Sequence, residues 1–191
     1  MVETMRRLVK NKPQEGFEFE DNAARPVPAK GELLVKCQYV AICGSDINLY
    51  KWNDIAQQIA KLPFTPGHEM TGIVEQIGEN VSNFAVGDRI AVENHYFCDD
   101  CHICKKDRGD ICMNMSQYGH GKGTEHGGFS DFSIVPAKYA YKLKRDITPV
   151  QAVLMEPMGV VHNIIEQIEV GEGDEVLVIG AGAIGCLETK F

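Results

Sequence analysis

The sequence predicts a mixed α+β fold: a β-rich domain over residues 1–155, then the opening strand, turn and helix of a parallel α/β domain over residues 156–191. Three observations lead there. Short apolar runs separated by Gly, Pro, Asn and Asp fill the first three quarters, as in a barrel or irregular sheet rather than a helical bundle. From Pro149 onward the apolar residues recur at three- and four-residue spacing, as on helix faces. Near the end, Val176-Leu177-Val178-Ile179 runs straight into Gly180-Ala181-Gly182-Ala183-Ile184-Gly185.

Each element has its own signal. A first strand is expected over 33–41, behind the turn Ala29-Lys30-Gly31-Glu32. A second, over 72–77, follows Pro66-Gly67, and a third, over 89–92, follows Val86-Gly87-Asp88. Two more are expected over 129–135 and 140–143. Helical spacing then links Val150, Val153 and Leu154, and after them Val160, Val161, Ile164, Ile165 and Ile168. The last strand, 176–179, is bounded by Gly171-Glu172-Gly173-Asp174. No internal repeat or low-complexity tract interrupts this order.

Composition excludes several classes. With 44% hydrophobic residues the chain can bury a core, and 19 Lys+Arg against 27 Asp+Glu leave a formal charge of −8, which disfavours phosphate tracking and hence nucleic acid. The longest apolar run is far short of the about 20 residues needed to cross a bilayer, and Met1-Val2-Glu3-Thr4-Met5-Arg6-Arg7 lacks a signal-peptide core. The expectation is a soluble, cytoplasmic protein. Seven cysteines in such a chain point to metal ligands or buried thiols before disulfides.

Cys98, Cys101, Cys104 and Cys112 form C-x2-C-x2-C-x7-C, a spacing that completes a tetrahedral zinc shell. Such a shell leaves no open position, so the metal would be structural, pinning a loop that lacks a core of its own. Two disulfides or free thiols are the other possibilities. Cys43, followed by Gly44-Ser45-Asp46, and the dyad His68-Glu69 offer a second, open set of thiolate, imidazole and carboxylate. Three protein ligands with a fourth position for an alcohol would polarise its oxygen, although a small core cysteine and surface polarity explain the same residues. Gly180-x-Gly182-x-x-Gly185, placed after an apolar strand and opening a helix, meets the context of a dinucleotide-binding Rossmann turn. Gly180, Gly182, Ala183, Ile184 and Gly185 are thus the expected cofactor-binding residues; a glycine turn required only by packing is the alternative.

Taken together, Val40-Ala41-Ile42-Cys43-Gly44-Ser45-Asp46, Pro66-Gly67-His68-Glu69, the four-cysteine stretch, Glu156-Pro157 and the turn at Gly180 resemble the zinc-containing medium-chain alcohol dehydrogenase family. The order and spacing of all five match over nearly the whole chain. The resemblance implies a GroES-like β-barrel catalytic domain followed by a Rossmann domain, with two Zn2+ per chain, NAD(P), and a small-molecule alcohol substrate. It implies that Cys43, His68 and Glu69 serve the catalytic zinc, with Glu156 where sorbitol-dehydrogenase-like members place a carboxylate by the metal. Ser45 would receive the alcohol proton while the nicotinamide takes the hydride. Many members continue the proton path with a histidine five residues after the cysteine, where this chain has Asn48. His95 and Tyr50-Lys51-Trp52-Asn53-Asp54 resemble the threonine dehydrogenase branch, in which that histidine lies near the substrate. Met155-Glu156-Pro157 leans toward the polyol branch. Full-length relatives are expected to form homodimers or homotetramers.

Six residues follow Gly185, whereas the acidic residue that reads the ribose comes about 20 residues after the turn. The expectation is therefore a C-terminally truncated dehydrogenase. Its alternative is a zinc-stabilised fragment that acts as an assembly or interaction module without hydride transfer.

Overall fold

The computed structural model describes residues 3–168 and 170–190. The chain opens with an antiparallel pair, β1 (Thr4–Val9) and β2 (Glu18–Ala24). β3 (Glu32–Ala41) leads into α1 (Gly44–Lys51) and α2 (Asp54–Ile59). β4 (Glu69–Ile77) and β5 (Arg89–Val92) follow, then the short pair β6 (His95–Tyr96) and β7 (Ser116–Gln117), with two 3-10 turns over the cysteine stretch between them. β8 (Phe132–Pro136) and β9 (Ala140–Lys142) complete the β-rich part; α3 (Pro149–Ala152), α4 (Met155–Ile168) and α5 (Ala183–Glu188) close the chain.

The main sheet has the order β8-β3-β4-β5-β9, every neighbour antiparallel. Among the described residues it is open, with β8 and β9 at its edges, and not a closed barrel. Leu33, Leu34 and Val35 are all fully buried, so both faces of β3 are covered where it crosses the middle. The core around them holds Met70, Val74, Ile90, Val92, Tyr118 and Val135, and each such aliphatic side chain stabilises the fold by about 1.5–3 kcal/mol. The register of β3 against β4 slips between Cys37 and Tyr39, an irregularity near the end from which the chain turns toward Cys43.

All five strands expected in this sheet lie within three residues of their predicted bounds. The one expected from 129 starts at Phe132, because Gly128 and Phe129 donate instead to the carbonyls of Gly67 and Pro66 at 2.7 and 2.9 Å. The final strand is a correction. Residues 176–179 are not paired, and Val176, Leu177 and Ile179 are exposed at 55%, 82% and 90%. A strand exists through its ladder, and among the described residues no strand pairs with this run. Helical spacing correctly marked 149–168, which forms α3 and α4. The capping box of Thr148 and Gln151 opens α3, with the Thr148 N–H donating to Gln151 Oε1 at 2.9 Å. No described helix is long and apolar enough to cross a membrane.

Candidate functional site

Two groups of potential metal ligands come together among the described residues, and both were expected from the sequence. The first is the four-cysteine loop. Sulfur separations are 3.4 Å for Cys101–Cys104, 3.5 Å for Cys112–Cys98 and 4.0 Å for Cys98–Cys104, and all the cysteines are free thiols. Four sulfurs about 2.3 Å from one zinc stand about 3.8 Å apart, so the observed cluster has tetrahedral dimensions without moving. The backbone supports thiolates there. The N–H groups of Cys98, Cys101, Cys104 and Asn114 each point at a sulfur, at 3.3–3.4 Å. Such bonds hold the Cys101 thiol down to about 6, whereas desolvation and neighbouring sulfurs push Cys104 up to about 12. Four negative sulfurs cannot share this space unless a cation discharges them, which is the chemistry of a closed divalent site.

The second group is Cys43, His68 and Glu69, whose ligand atoms all lie within 4.8 Å of one another, with His68 and Glu69 buried. Local structure delivers each of them. Cys43 is the extended N-cap residue of α1, and its backbone N–H donates to Asp46 Oδ2 at 2.9 Å, so the thiol stands at the helix's positive end. His68 and Glu69 follow Gly67, whose φ of +89° only glycine takes without strain and whose missing Cβ would lie 2.9 Å from the Phe129 ring. The His68 imidazole lowers the Cys43 thiol. Burial opposes charge on His68, but Cys43, Asp46 and Glu156 outweigh it and leave the imidazole raised.

Beside this trio lie buried polar atoms with no oxygen or nitrogen hydrogen-bond partner. Asp46 Oδ1 and His68 Nδ1 are buried 3.8 Å apart, beyond a hydrogen bond, and Ser45 Oγ is buried with no oxygen or nitrogen partner. Polar atoms are orphaned at such cost where a ligand is meant to complete them. A cation with an open position fits the donor set, and the residues that would hold it are Cys43, His68 and Glu69.

The other expected residues stand further out. Glu156, in the first turn of α4, is not part of the converging trio; its Oε1 accepts from Asn94 Nδ2 at 2.9 Å, and burial raises its carboxyl. His95 is exposed, with Nδ1 3.4 Å from Glu93 Oε1. Asn48 Oδ1 accepts from Asn53 Nδ2 at 2.9 Å, which turns it toward the α1–α2 junction. Residues 180–183 of the turn are exposed and Ile184 and Gly185 half-buried, and Gly182 caps α5, with Ala183 and Ile184 as its first residues. A Cβ on Gly185 would fall 2.0 Å from the Gly180 carbonyl oxygen, so the last glycine of the motif lets the helix close onto the turn.

Two residues around the trio were not anticipated. Asp46 was quoted only as part of the motif, yet one of its oxygens accepts from the Cys43 N–H and the other faces His68 at 3.8 Å. His120 was not singled out at all. It is buried with its ring centroid 4.9 Å from that of His68 and its Nδ1 3.0 Å from the Tyr118 carbonyl oxygen; burial and His68 hold it down to about 4. The run Gly119-His120-Gly121 gave the only local hint, a side chain between two turn-forming glycines.

Comparison with known proteins agrees with this picture. L-threonine 3-dehydrogenase of Thermococcus kodakarensis is 38% identical over 98% of this chain and 52% of its own length. A short chain alcohol dehydrogenase from Escherichia coli CFT073, complexed with NADH, superposes with a TM-score of 0.84 at 31% identity, covering 97% of this chain and 52% of that one. A Sinorhizobium meliloti 1021 protein described as a zinc-binding dehydrogenase, bound to NADP, gives a TM-score of 0.89 at 28% identity over 97% and 52%. The chain thus spans about half the length of the curated relatives it matches. Residues 29–145, which carry the main sheet and both ligand groups, match the alcohol dehydrogenase GroES-like domain, and the chain belongs to that family.

Proposed function

We propose that this chain forms the alcohol-handling part of a zinc-dependent dehydrogenase that passes a hydride from a secondary alcohol to NAD(P). The convergence of Cys43, His68 and Glu69 within 4.8 Å, separate from a closed four-sulfur set, carries the reading. A closed shell suits a structural zinc and an open trio a catalytic one, two per chain. L-threonine is the favoured substrate, supported by curated relatives of that name at 36–38% identity; a vicinal diol or polyol is next. On this reading residues 1–155 are the catalytic domain and residues 156–191 begin the nucleotide-binding one.

Zinc held by Cys43, His68 and Glu69 would supply Lewis-acid polarisation of the alcohol oxygen, and NAD(P) would supply the hydride acceptor. The chain's own residues orient and move the proton. Ser45 Oγ, lacking an oxygen or nitrogen partner, accepts the hydrogen bond of the substrate hydroxyl and takes its proton. Asp46 holds the Cys43 backbone and faces His68, which keeps both side chains aimed inward. Asn48 is occupied by Asn53 and cannot titrate, so the proton leaves Ser45 through water. Glu156, close enough to influence His68 and Glu69, would offer a further carboxylate beside the metal that Cys43, His68 and Glu69 would hold. His95, near enough to influence Glu156, would face the substrate, and the turn Gly180–Gly185 would receive the cofactor pyrophosphate.

A second reading, an assembly module without hydride transfer, draws support from one observation: residues 176–179 are apolar and unpaired, and Val176, Leu177 and Ile179 are exposed. Elemental analysis together with NAD+ calorimetry separates the two. The dehydrogenase reading expects two zincs per chain, one of them lost in Cys43→Ser, and measurable NAD+ affinity. One zinc in the wild-type chain and no NAD+ binding would overturn it in favour of the module.

A further inference from the structure

We propose that Lys10 is a positioning residue: its buried ammonium, seated among three carbonyls and two aromatic rings, fixes the Cys43 helix against the His68 turn and so holds the open ligand trio at binding separation. The inference rests on the metal reading of that trio. Lys10 is 1% exposed, and its Nζ donates to the carbonyls of Gln14, Gly16 at 2.9 Å and Tyr50 at 3.1 Å. A lysine has three donors and no acceptor, and here all three are used. Nζ also lies 5.2 Å from the centre of the Trp52 ring and 5.5 Å from that of Phe17, and Phe17 meets Tyr50 edge to face at 5.5 Å.

The placement, more than the burial, identifies the role. Tyr50 belongs to the last turn of α1, so its carbonyl has no partner within the helix; it accepts from the Gly16 N–H at 2.9 Å and from Lys10, and a cation there complements the helix dipole. Cys43 caps the other end of the same eight-residue rod. Meanwhile the backbone of Lys10 pairs in both directions with Phe64, at 2.7 and 3.0 Å, four residues ahead of His68. One residue thus grips the far end of the cysteine helix with its side chain and the approach to the histidine turn with its backbone. Asp46 pins the near end, and Lys10 sets the helix's tilt.

Cobalt(II) titration of the full chain under reducing conditions tests this, because the two sites absorb differently: four thiolates give a far stronger sulfur-to-cobalt band than one. The wild-type chain should load both. Lys10→Met, which keeps the length without donors, should weaken cobalt binding at the open site by about tenfold or more, the usual effect of losing a group that orients ligands, while the four-thiolate band titrates unchanged. Lys10→Arg, which keeps charge and donors, should recover part of that loss. Open-site binding in Lys10→Met equal to wild type would overturn the proposal, as would equal weakening of both sites, the mark of a general folding defect. Should Lys10→Met not fold, Phe17→Leu decides, since it removes one cage wall and no hydrogen bond: unchanged open-site binding there also overturns it. A wild-type chain that loads only the four-thiolate site would overturn the metal reading itself, and the proposal with it.

Discussion

His120 shows what a single buried residue contributes. Its imidazole ordinarily titrates near 6.5 but is held down to about 4 by burial and by His68. The folded state therefore refuses a proton that the unfolded chain accepts. This contribution to stability is complete above about pH 6.5 and is lost as the pH falls toward about 4, at up to about 1.4 kcal/mol per pH unit. His120→Asn, which can still donate to the Tyr118 carbonyl, should remove that slope. Urea unfolding of metal-free protein at pH 7, 6 and 5 checks it: the wild-type chain should lose stability relative to the variant at each step down, and parallel losses would refute the assignment. Residues of this kind were the least legible in the sequence. Cys43, His68, Glu69 and the four cysteines stood out because ligand chemistry restricts residue type and spacing. Asp46, His120 and Lys10 act through partners as far as 54 positions away, the separation of Lys10 from Phe64, which no local pattern encodes.

The elements divide by the origin of their stability. α3 is four residues long and cannot hold itself together; its capping box and the 3.3 Å bond from Thr71 Oγ1 to the Pro149 carbonyl fasten it to β4. Thr148→Ala should cost about 1 kcal/mol, read as a fall in the thermal midpoint of about 2–4 °C for a chain of this size; no shift would mean the cap is dispensable. The main-sheet strands were legible because apolar runs between turn residues are their direct signature. β1 and β2 were not. β2 reads Glu-Phe-Glu-Asp-Asn-Ala-Ala from Glu18 to Ala24, mostly exposed and rich in acids, and carries little strand signal. The pair is held to the body by remote groups, among them the Arg6 guanidinium on Asp131 at 3.0 and 3.1 Å, 125 positions along the chain. The run 176–179 is the converse: its local pattern reads as a strand, yet pairing is a property of neighbours.

Across the whole molecule, the same run is an exposed apolar patch, Val176, Leu177 and Ile179 lying together on the surface of an otherwise acidic chain. Patches of this kind promote association. The double substitution Leu177→Lys with Ile179→Lys should lower self-association in light scattering and change the unfolding free energy by no more than the about 0.5 kcal/mol typical of surface changes; unchanged scattering would show the patch to be inert. The two metal-ligand groups differ in the same way. The four-sulfur loop sits on 3-10 turns, whereas the open trio is built into the sheet and α1.

Trp52, which lies against the Lys10 ammonium at the end of α1, is the chain's single tryptophan. Intrinsic ultraviolet emission from this protein therefore comes with one dominant address, at the opposite end of the short helix that Cys43 caps. Any event that tilts that helix changes the distance between an indole and a positive charge, so the molecule carries its own optical gauge of the ligand-bearing element.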